Sequence, residues 1–392
     1  MAETLKLGNG EWATKENSLL SYNDENGNYK PLPFDFTRAS SATVVNKQGL
    51  IETVQSGTPR IDFLGNTNGA LLLEPQRTNG INYSEPTSSE TSAGGITYES
   101  FNWSLGFTNC IKFGDNSQSR YRYFTGTVAN STEYTISAFV IMDDLSEPVL
   151  GINSSSGDLI LRVGGTTATT GNLPNVNMGN NIYRVSSVIT SDAGGGSTGL
   201  LKYSNASNKG FRVVGFQLEQ ASYPTSYIPT QGSTVTRVVD STSQTLPNEV
   251  FNSYPFSVFT EVDVIDTSSA NSAFSLLNKA SSNNYFTIEY FSNLWHITAR
   301  PNGPVERISS TTAVTKGTNK LVGVWESSSM KLYLNGSLIA SGSNSQSFNN
   351  TVDSLILGQL RISGDTGTRT PIRQALLYNT ALTDSEAIAI TT

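Results

Sequence analysis

The stretch 217–237, QLEQASYPTSYIPTQGSTVTR, limits the folds open to this chain more than any other. It starts as the end of a strand: Val214, Phe216 and Leu218 alternate with Gly215, Gln217 and Glu219, the two-residue period that sends successive side chains to opposite faces. Pro224 and Pro229 then each remove a backbone donor and fix φ, which bars the segment from a central ladder. Tyr223, Tyr227 and Ile228 carry more apolar surface than a flexible linker would. The combination predicts a strap at 221–246, packed on one all-β module while it passes the chain to the next. Its three large side chains are expected to be buried and structural, not ligand-binding.

Both flanks of the strap read as strands. Within 81–220, strands are predicted at 96–103, 108–112, 120–125, 133–142, 149–152, 159–163, 182–189, 200–203 and 211–219, with Gly- and Asn-rich loops between them and no helical period. In EYTISAFVIM, alternation puts Tyr134, Ile136, Ala138 and Val140 on one face. That pattern argues an antiparallel jelly roll. A second antiparallel sandwich is predicted over 247–392. Its clearest element has Met330, Leu332 and Leu334 alternating with Lys331 and Tyr333, followed by Asn335-Gly336, the pair that suits a type I′ hairpin turn. Thr383 and Glu386 have capping-box spacing before a short apolar helix. Ahead of both modules, residues 1–35 have little hydrophobic periodicity and many turn formers (GNG, NDENGN, KPLPF), which predicts an attachment arm ordered on docking. Residues 36–80 read as short strands and tight turns, a β-rich collar. The fold class is therefore all-β: arm and collar, then a jelly roll, then a second sandwich.

Charge narrows the partners. Charged residues make up 15% of the chain, against about 25% in ordinary globular proteins. With 32 acidic against 25 basic residues and a pI near 4.9, there is no cationic field to neutralise phosphates, so neither nucleic acid nor an anionic membrane is an expected partner. The start, MAETLKLGNGEW, lacks the apolar core of a secretory leader, and no uncharged apolar run approaches ~20 residues. The expectation is a soluble protein made in a cytoplasm and released by lysis, as virion components are. The single cysteine, Cys110, cannot form an internal disulfide and reads as a small buried hydrophobe. The single histidine, His296, lies in the strand-like run IEYFSNLWHITAR and reads as a strand residue, not a catalyst.

Three segments in order, FTRASSATVVNKQGLIE, LLLEPQRTN and QLEQASYPTSYIPTQGSTVTRVVD, resemble a signature of structural proteins of tailed bacteriophages, especially fibre and appendage proteins. The module between them resembles carbohydrate-binding jelly rolls. The last module, with KLYLNGSLIA and LLYNTALTDSEA, resembles a laminin-G or concanavalin A-like lectin domain. The resemblance implies a head or tail fibre on the virion surface, trimeric, fixed to a capsid or tail protein through residues 1–35, with its sandwiches facing outward toward host-surface glycans.

Three functional readings follow: a non-enzymatic fibre that binds glycans, which is preferred; a decorative virion protein without a ligand; and a glycan hydrolase. The last rests on TEVDVID, where Glu261 and Asp263 share a strand face with Asp266 beyond, resembling the paired-carboxylate strand of concanavalin A-like glycoside hydrolases. The bland alternative has Val262 and Val264 inward and the carboxylates in water. Sugar binding needs an aromatic platform beside polar groups. The candidates are Trp103, Tyr121 and Tyr123 in the first sandwich, the tyrosines sharing a face opposite Arg120 and Arg122, and Trp295 in the second. Trp325 reads as core. Asp115, Asp353 and Asp365 are available to calcium, but no dense acidic loop is present and no cofactor is assigned.

Overall fold

The computed structural model describes residues 5–25, 28–88, 96–115, 119–124, 128–152, 157–168, 170–192, 196–203, 208–247, 251, 255–267, 270–278, 281–301, 303–345, 348, 352–358 and 369–392. Strands dominate, and among the described residues the α-helix is Asp384–Thr391, so the all-β expectation holds. The chain forms two compact units, and neither is continuous in sequence. The first comprises Met1–Ser41, Val54–Gln76 and Val238–Thr392; the second comprises Ala42–Thr53 and Arg77–Arg237.

This division corrects the predicted boundaries. Residues 1–35 are not a separate arm, nor is 36–80 a separate collar. Leu5–Gly8 lies antiparallel to Thr370–Tyr378, with Leu5 opposite Leu377. Ala70–Leu73 continues along that strand, with Leu71 opposite Ile372. Asn28–Thr37 pairs with Ser241–Thr245 and with Ser18–Glu25. Segments with little periodicity of their own thus complete sheets that open far away in sequence. The strap is divided too: up to Arg237 it belongs to the second unit, and from Val238 to the first.

In the first unit, one sheet runs Leu5–Gly8, Thr370–Tyr378, Phe256–Val264, Gly317–Trp325, Ser329–Leu334 and Ser337–Ser343. The other runs Ser241–Thr245, Ser354–Leu357, Asn271–Asn278, Ser281–Phe291, Leu294–Pro301 and Glu306–Ala313. Val258, Val262, Phe286, Trp295, Leu321 and Trp325 belong to one buried apolar core. On the central strand Phe259 turns the other way, into a smaller cluster with Tyr333, Leu376 and Ala387 of the helix. The helix carries the predicted box: Glu386 N donates to Thr383 Oγ1 at 3.3 Å, and Thr383 N donates to Glu386 Oε2 at 2.8 Å. Asn335 and Gly336 have φ of 46° and 79°, as the hairpin required.

The charged residues of the first unit's separated segments meet in its interior. Arg38, Arg60, Glu74 and Asp240 have no exposed side-chain surface. Arg38 Nη1 donates to Asp240 Oδ1 at 3.1 Å, and Arg60 Nη1 to Glu74 Oε2 at 2.8 Å. Arg60 Nη2 also pairs with Asp240, and Arg369 Nε reaches Glu74 Oε1 at 3.3 Å. Burial works against the Arg60 charge, but the two carboxylates outweigh it and its pKa is raised. Arg38, Glu74 and Asp240 come from the three signature stretches, whose charge pattern is therefore a buried staple.

The second unit has a six-stranded sheet, ordered Ile96–Ser100, Asn109–Phe113, Phe211–Glu219, Glu133–Met142, Ile182–Thr190 and Val176–Gly179, and a four-stranded sheet, ordered Arg120–Phe124, Thr198–Lys202, Ile160–Val163 and Thr166–Thr167. The predicted strand at 149–152 is reduced to a single bridge between Leu150 and Leu159. Ile136, Ala138, Val140 and Met142 face the core, while Phe139 and Ile141 face a second cluster with Trp103, Phe107 and Tyr227. Both faces of the larger sheet are thus covered.

Simple alternation fails at one place. Gly215, at φ 67°, forms a bulge in which Gly215 and Phe216 together oppose Ala138, between the pairs Phe139↔Val214 and Ser137↔Gln217. Val213, Phe216 and Leu218 consequently share the core face while Val214 lies on the other. Alternation predicted Val214 with Phe216; the extra residue flips it.

Candidate functional site

The strap's prolines leave backbone groups with no ladder, and side chains on the outer face of the larger sheet take them up. Glu219 Oε2 accepts from Thr225 N at 3.0 Å, Gln217 Oε1 from Ile228 N at 2.6 Å, and Arg184 Nη1 donates to Thr225 O at 2.5 Å. Arg237 Nη1 donates to Thr225 Oγ1 and Ser226 Oγ at 3.1 and 3.0 Å. Tyr223, Tyr227 and Ile228 are buried, as the sequence predicted.

Beyond Ile228 the strap is laced to residues 82–85. Thr230 N donates to Ser84 Oγ at 2.8 Å, Ser84 N to Thr230 Oγ1 at 2.9 Å, and Gly232 N to Asn82 O at 2.8 Å. Ser84 O accepts from Phe216 N at 2.9 Å. Ser84 Oγ lies 2.7 Å from the Tyr227 hydroxyl. Two walls are fixed in this way, and between them and the strand residues Tyr98 and Asn109 opens a cleft of about 700 Å³.

The lining of this cleft is mostly polar. Asn109 and Gln231 contribute amides, Thr87, Ser88, Thr230 and Ser233 hydroxyls, Tyr98 a phenol ring, Val235 an apolar rim and Glu85 a carboxylate. Tyr227 donates to Glu85 Oε1 at 3.4 Å. Part of Glu85 is open to solvent, yet burial around its carboxyl raises the pKa and the Tyr227 bond only partly counters this. Burial likewise raises the Tyr227 pKa, keeping the phenol a neutral donor. The arrangement offers many donors and acceptors, one ring and one negative charge, in a volume within the range of small-molecule sites.

The residues picked from sequence fall elsewhere. Trp103 is buried in the outer-face cluster, edge-on to Phe101 and Phe107. Trp295 is fully buried against Tyr290 at 5.1 Å. Neither ring has a face for a ligand, because each is enclosed in an apolar cluster. Tyr121 and Tyr123 do share a face of the edge strand Arg120–Phe124, with ring centroids 4.7 Å apart and planes at 22°. Tyr121 remains 51% exposed, so one ring surface is open to solvent. They do not line the cleft. Nothing in the local sequence marked the cleft, since its walls come from residues near 85, 98, 109 and 230.

In TEVDVID, Val262 and Val264 are buried and Glu261 and Asp263 lie on the opposite face. Asp263 accepts two contacts from Arg373 Nε at 3.0 and 3.1 Å and one from Thr318 Oγ1 at 2.7 Å. Asp266 is buried, and its carbonyl accepts from Tyr290 Oη at 2.7 Å. His296 is buried in Leu294–Pro301, stacked on Phe291. Its Nε2 lies 3.2 Å from Phe291 O, which can only accept, so Nδ1 accepts from Ser309 Oγ at 2.9 Å. Burial lowers its pKa. Trp325 is core, as read.

Among the described residues, no three His, Cys, Asp or Glu side chains converge to hold a metal. Asp365 lies outside the described residues. Asp353 accepts from its neighbour Ser354 Oγ at 2.8 Å. Asp115 contributes charge to Lys202, a buried ammonium that donates to Gly114 O and Lys209 O at 2.6 and 2.5 Å.

No curated protein sequence matches the chain. Among solved structures, similar ones include the CBM40 of the Ruminococcus gnavus IT-sialidase bound to α2,3-sialyllactose, at 18% identity and TM-score 0.31 over 35% of this chain and 82% of that one. Domain 4 of an extracellular arabinanase from Geobacillus stearothermophilus, in complex with arabinotriose, is 16% identical, with TM-score 0.34 over 43% of this chain and 82% of that one. The binding domain of botulinum neurotoxin serotype C1 is also 16% identical, with TM-score 0.33 over 39% of this chain and 40% of that one. Residues 239–388, within the longest segment of the first unit, match the concanavalin A-like lectin/glucanases superfamily.

Proposed function

We propose that the chain is a non-enzymatic, glycan-binding appendage protein of a tailed-bacteriophage virion, with the cleft of the second unit as its saccharide site. The cleft lining carries this reading: amides, hydroxyls and a carboxylate around a single aromatic ring match a ligand with hydroxyl edges and one apolar face. The concanavalin A-like match over 239–388 is consistent with it. The open ring of Tyr121 is a second, shallower contact for the same class of ligand.

The virion part rests on the ordered signature segments. With Leu5–Thr37 built into the first unit, attachment to a capsid or tail protein uses a folded surface in place of a loose arm. The fibre is a homotrimer on the particle exterior, made in the host cytoplasm.

Binding of the full chain to a glycan array tests the ligand. Tyr98→Ala and Gln231→Ala are expected to weaken binding by about tenfold or more each, while Tyr121→Ala has a smaller effect. Loss through Tyr121→Ala alone would move the site to the edge strand. Silence on all saccharides would leave a decorative protein, and released sugar on product analysis would restore the hydrolase reading. Sedimentation tests the assembly: a monodisperse monomer overturns the trimeric fibre.

A further inference from the structure

We infer that the cleft selects uncharged saccharides and that Glu85 is the residue that rejects carboxylated and sulfated ones. This deepens the glycan reading above and rests on it.

Glu85 is the charged residue in the lining, and among the described residues no Lys or Arg accompanies it. Arg237, on the strand Val235–Arg237 that supplies Val235, is buried and donates to Thr225 Oγ1 and Ser226 Oγ, while Lys112 on Asn109–Phe113 and Arg212 on the adjoining strand face away from the cleft. In the register of Ile96–Ser100 with Asn109–Phe113, Lys112 lies opposite Thr97, and Arg212 lies opposite Lys112 on the next strand. Thr97 and Tyr98 are consecutive and so point to opposite faces. Both cations are already paired, Arg212 with Glu99 at 2.5 Å and with Asp143 at 2.9 Å, and Lys112 with Asp143.

A carboxylate or sulfate on a bound sugar would therefore find no counter-charge and would sit in the field of Glu85. A hydroxyl at the same place would find an acceptor. Glu85 is held for this role. It follows Ser84, whose N, Oγ and O are all hydrogen-bonded, and its own carboxylate takes the Tyr227 hydroxyl at 3.4 Å. Tyr227 is thus a positioning residue, buried against Phe107 and Phe139 with its hydroxyl end turned to the cleft wall.

The test uses the full chain on an array carrying neutral saccharides beside their sialylated and sulfated forms, followed by titration of the best neutral hit and its acidic derivative. The readout is the neutral-to-acidic affinity ratio, expected to be about tenfold or more for the native chain. Glu85→Gln should bring the ratio to within about threefold of unity, and Glu85→Lys should invert it. Tyr227→Phe should lower the ratio while circular dichroism stays native, a change that a purely structural phenol would not produce. The inference is overturned if acidic forms bind the native chain as well as neutral ones, or if Glu85→Lys leaves the ratio unchanged. Silence on every saccharide is a different failure: it removes the glycan reading itself, and the selection with it.

Discussion

The buried cluster of Arg38, Arg60, Glu74 and Asp240 shows what single residues do in this chain. The guanidiniums are held by carboxylates without access to water, so removing one carboxylate leaves the cluster with an excess of buried positive charge. Asp240→Asn is expected to cost about 3–5 kcal/mol, read by denaturant unfolding of the full chain. Arg60→Lys should not rescue the fold, because an ammonium lacks the fork that spans Glu74 and Asp240. Cys110 gives a milder test. Burial, first, and the neighbouring Glu99 push its thiol up to about 12. Native protein at pH 8 should resist alkylation and become reactive on unfolding. Since the folded value exceeds the unfolded one, this contribution to stability is complete below about pH 8.5 and is lost as pH rises toward 12. Rapid labelling of native protein would contradict the burial.

At the scale of elements, the strand Phe211–Glu219 shows both the reach and the limit of pattern. Its apolar content announced a strand, but the bulge that decides which residue faces which core depends on one glycine in the left-handed region. A Cβ at Gly215 would press on Phe139 Cδ2 as well as occupy a strained φ. Gly215→Ala is therefore expected to destabilise by about 1–3 kcal/mol, with a matching fall in melting temperature; an unchanged value would mean that the bulge is dispensable. The Asn335-Gly336 hairpin, the Thr383 cap and the burial of Tyr223, Tyr227 and Ile228 were legible because each is specified by residues within one turn or one strand. The cleft was not, because its walls converge from four separated stretches. Trp103 and Trp295 misled for a related reason: a large ring signals burial and binding equally, and only its neighbours separate the two.

At the scale of the whole molecule, the division into units was the least legible feature. Residues 5–37 have no periodicity that would betray strand partners more than 200 positions away, yet they pair with Ser241–Thr245 and Thr370–Tyr378. A fragment starting at residue 247, which sequence alone proposed as a complete sandwich, is therefore expected not to fold cooperatively. It would lack Leu5–Gly8 and Ala70–Leu73 along an exposed sheet edge, and the Arg38, Arg60, Glu74 and Asp240 cluster entirely. Near-ultraviolet circular dichroism and denaturant unfolding of this fragment provide the check, and a sharp unfolding transition would refute it.

The pairing of Leu5 with Leu377 also sets a timetable for synthesis. A ribosome releases the second unit whole before it has made the last strand of the first. Leu5–Gly8 waits for that strand while some 370 residues are translated, on the order of 20–70 s at about 5–20 residues per second. Throughout that interval the early strands present open edges, so the nascent chain is a natural client for chaperones. Slower elongation near the C-terminus would lengthen its exposure to aggregation.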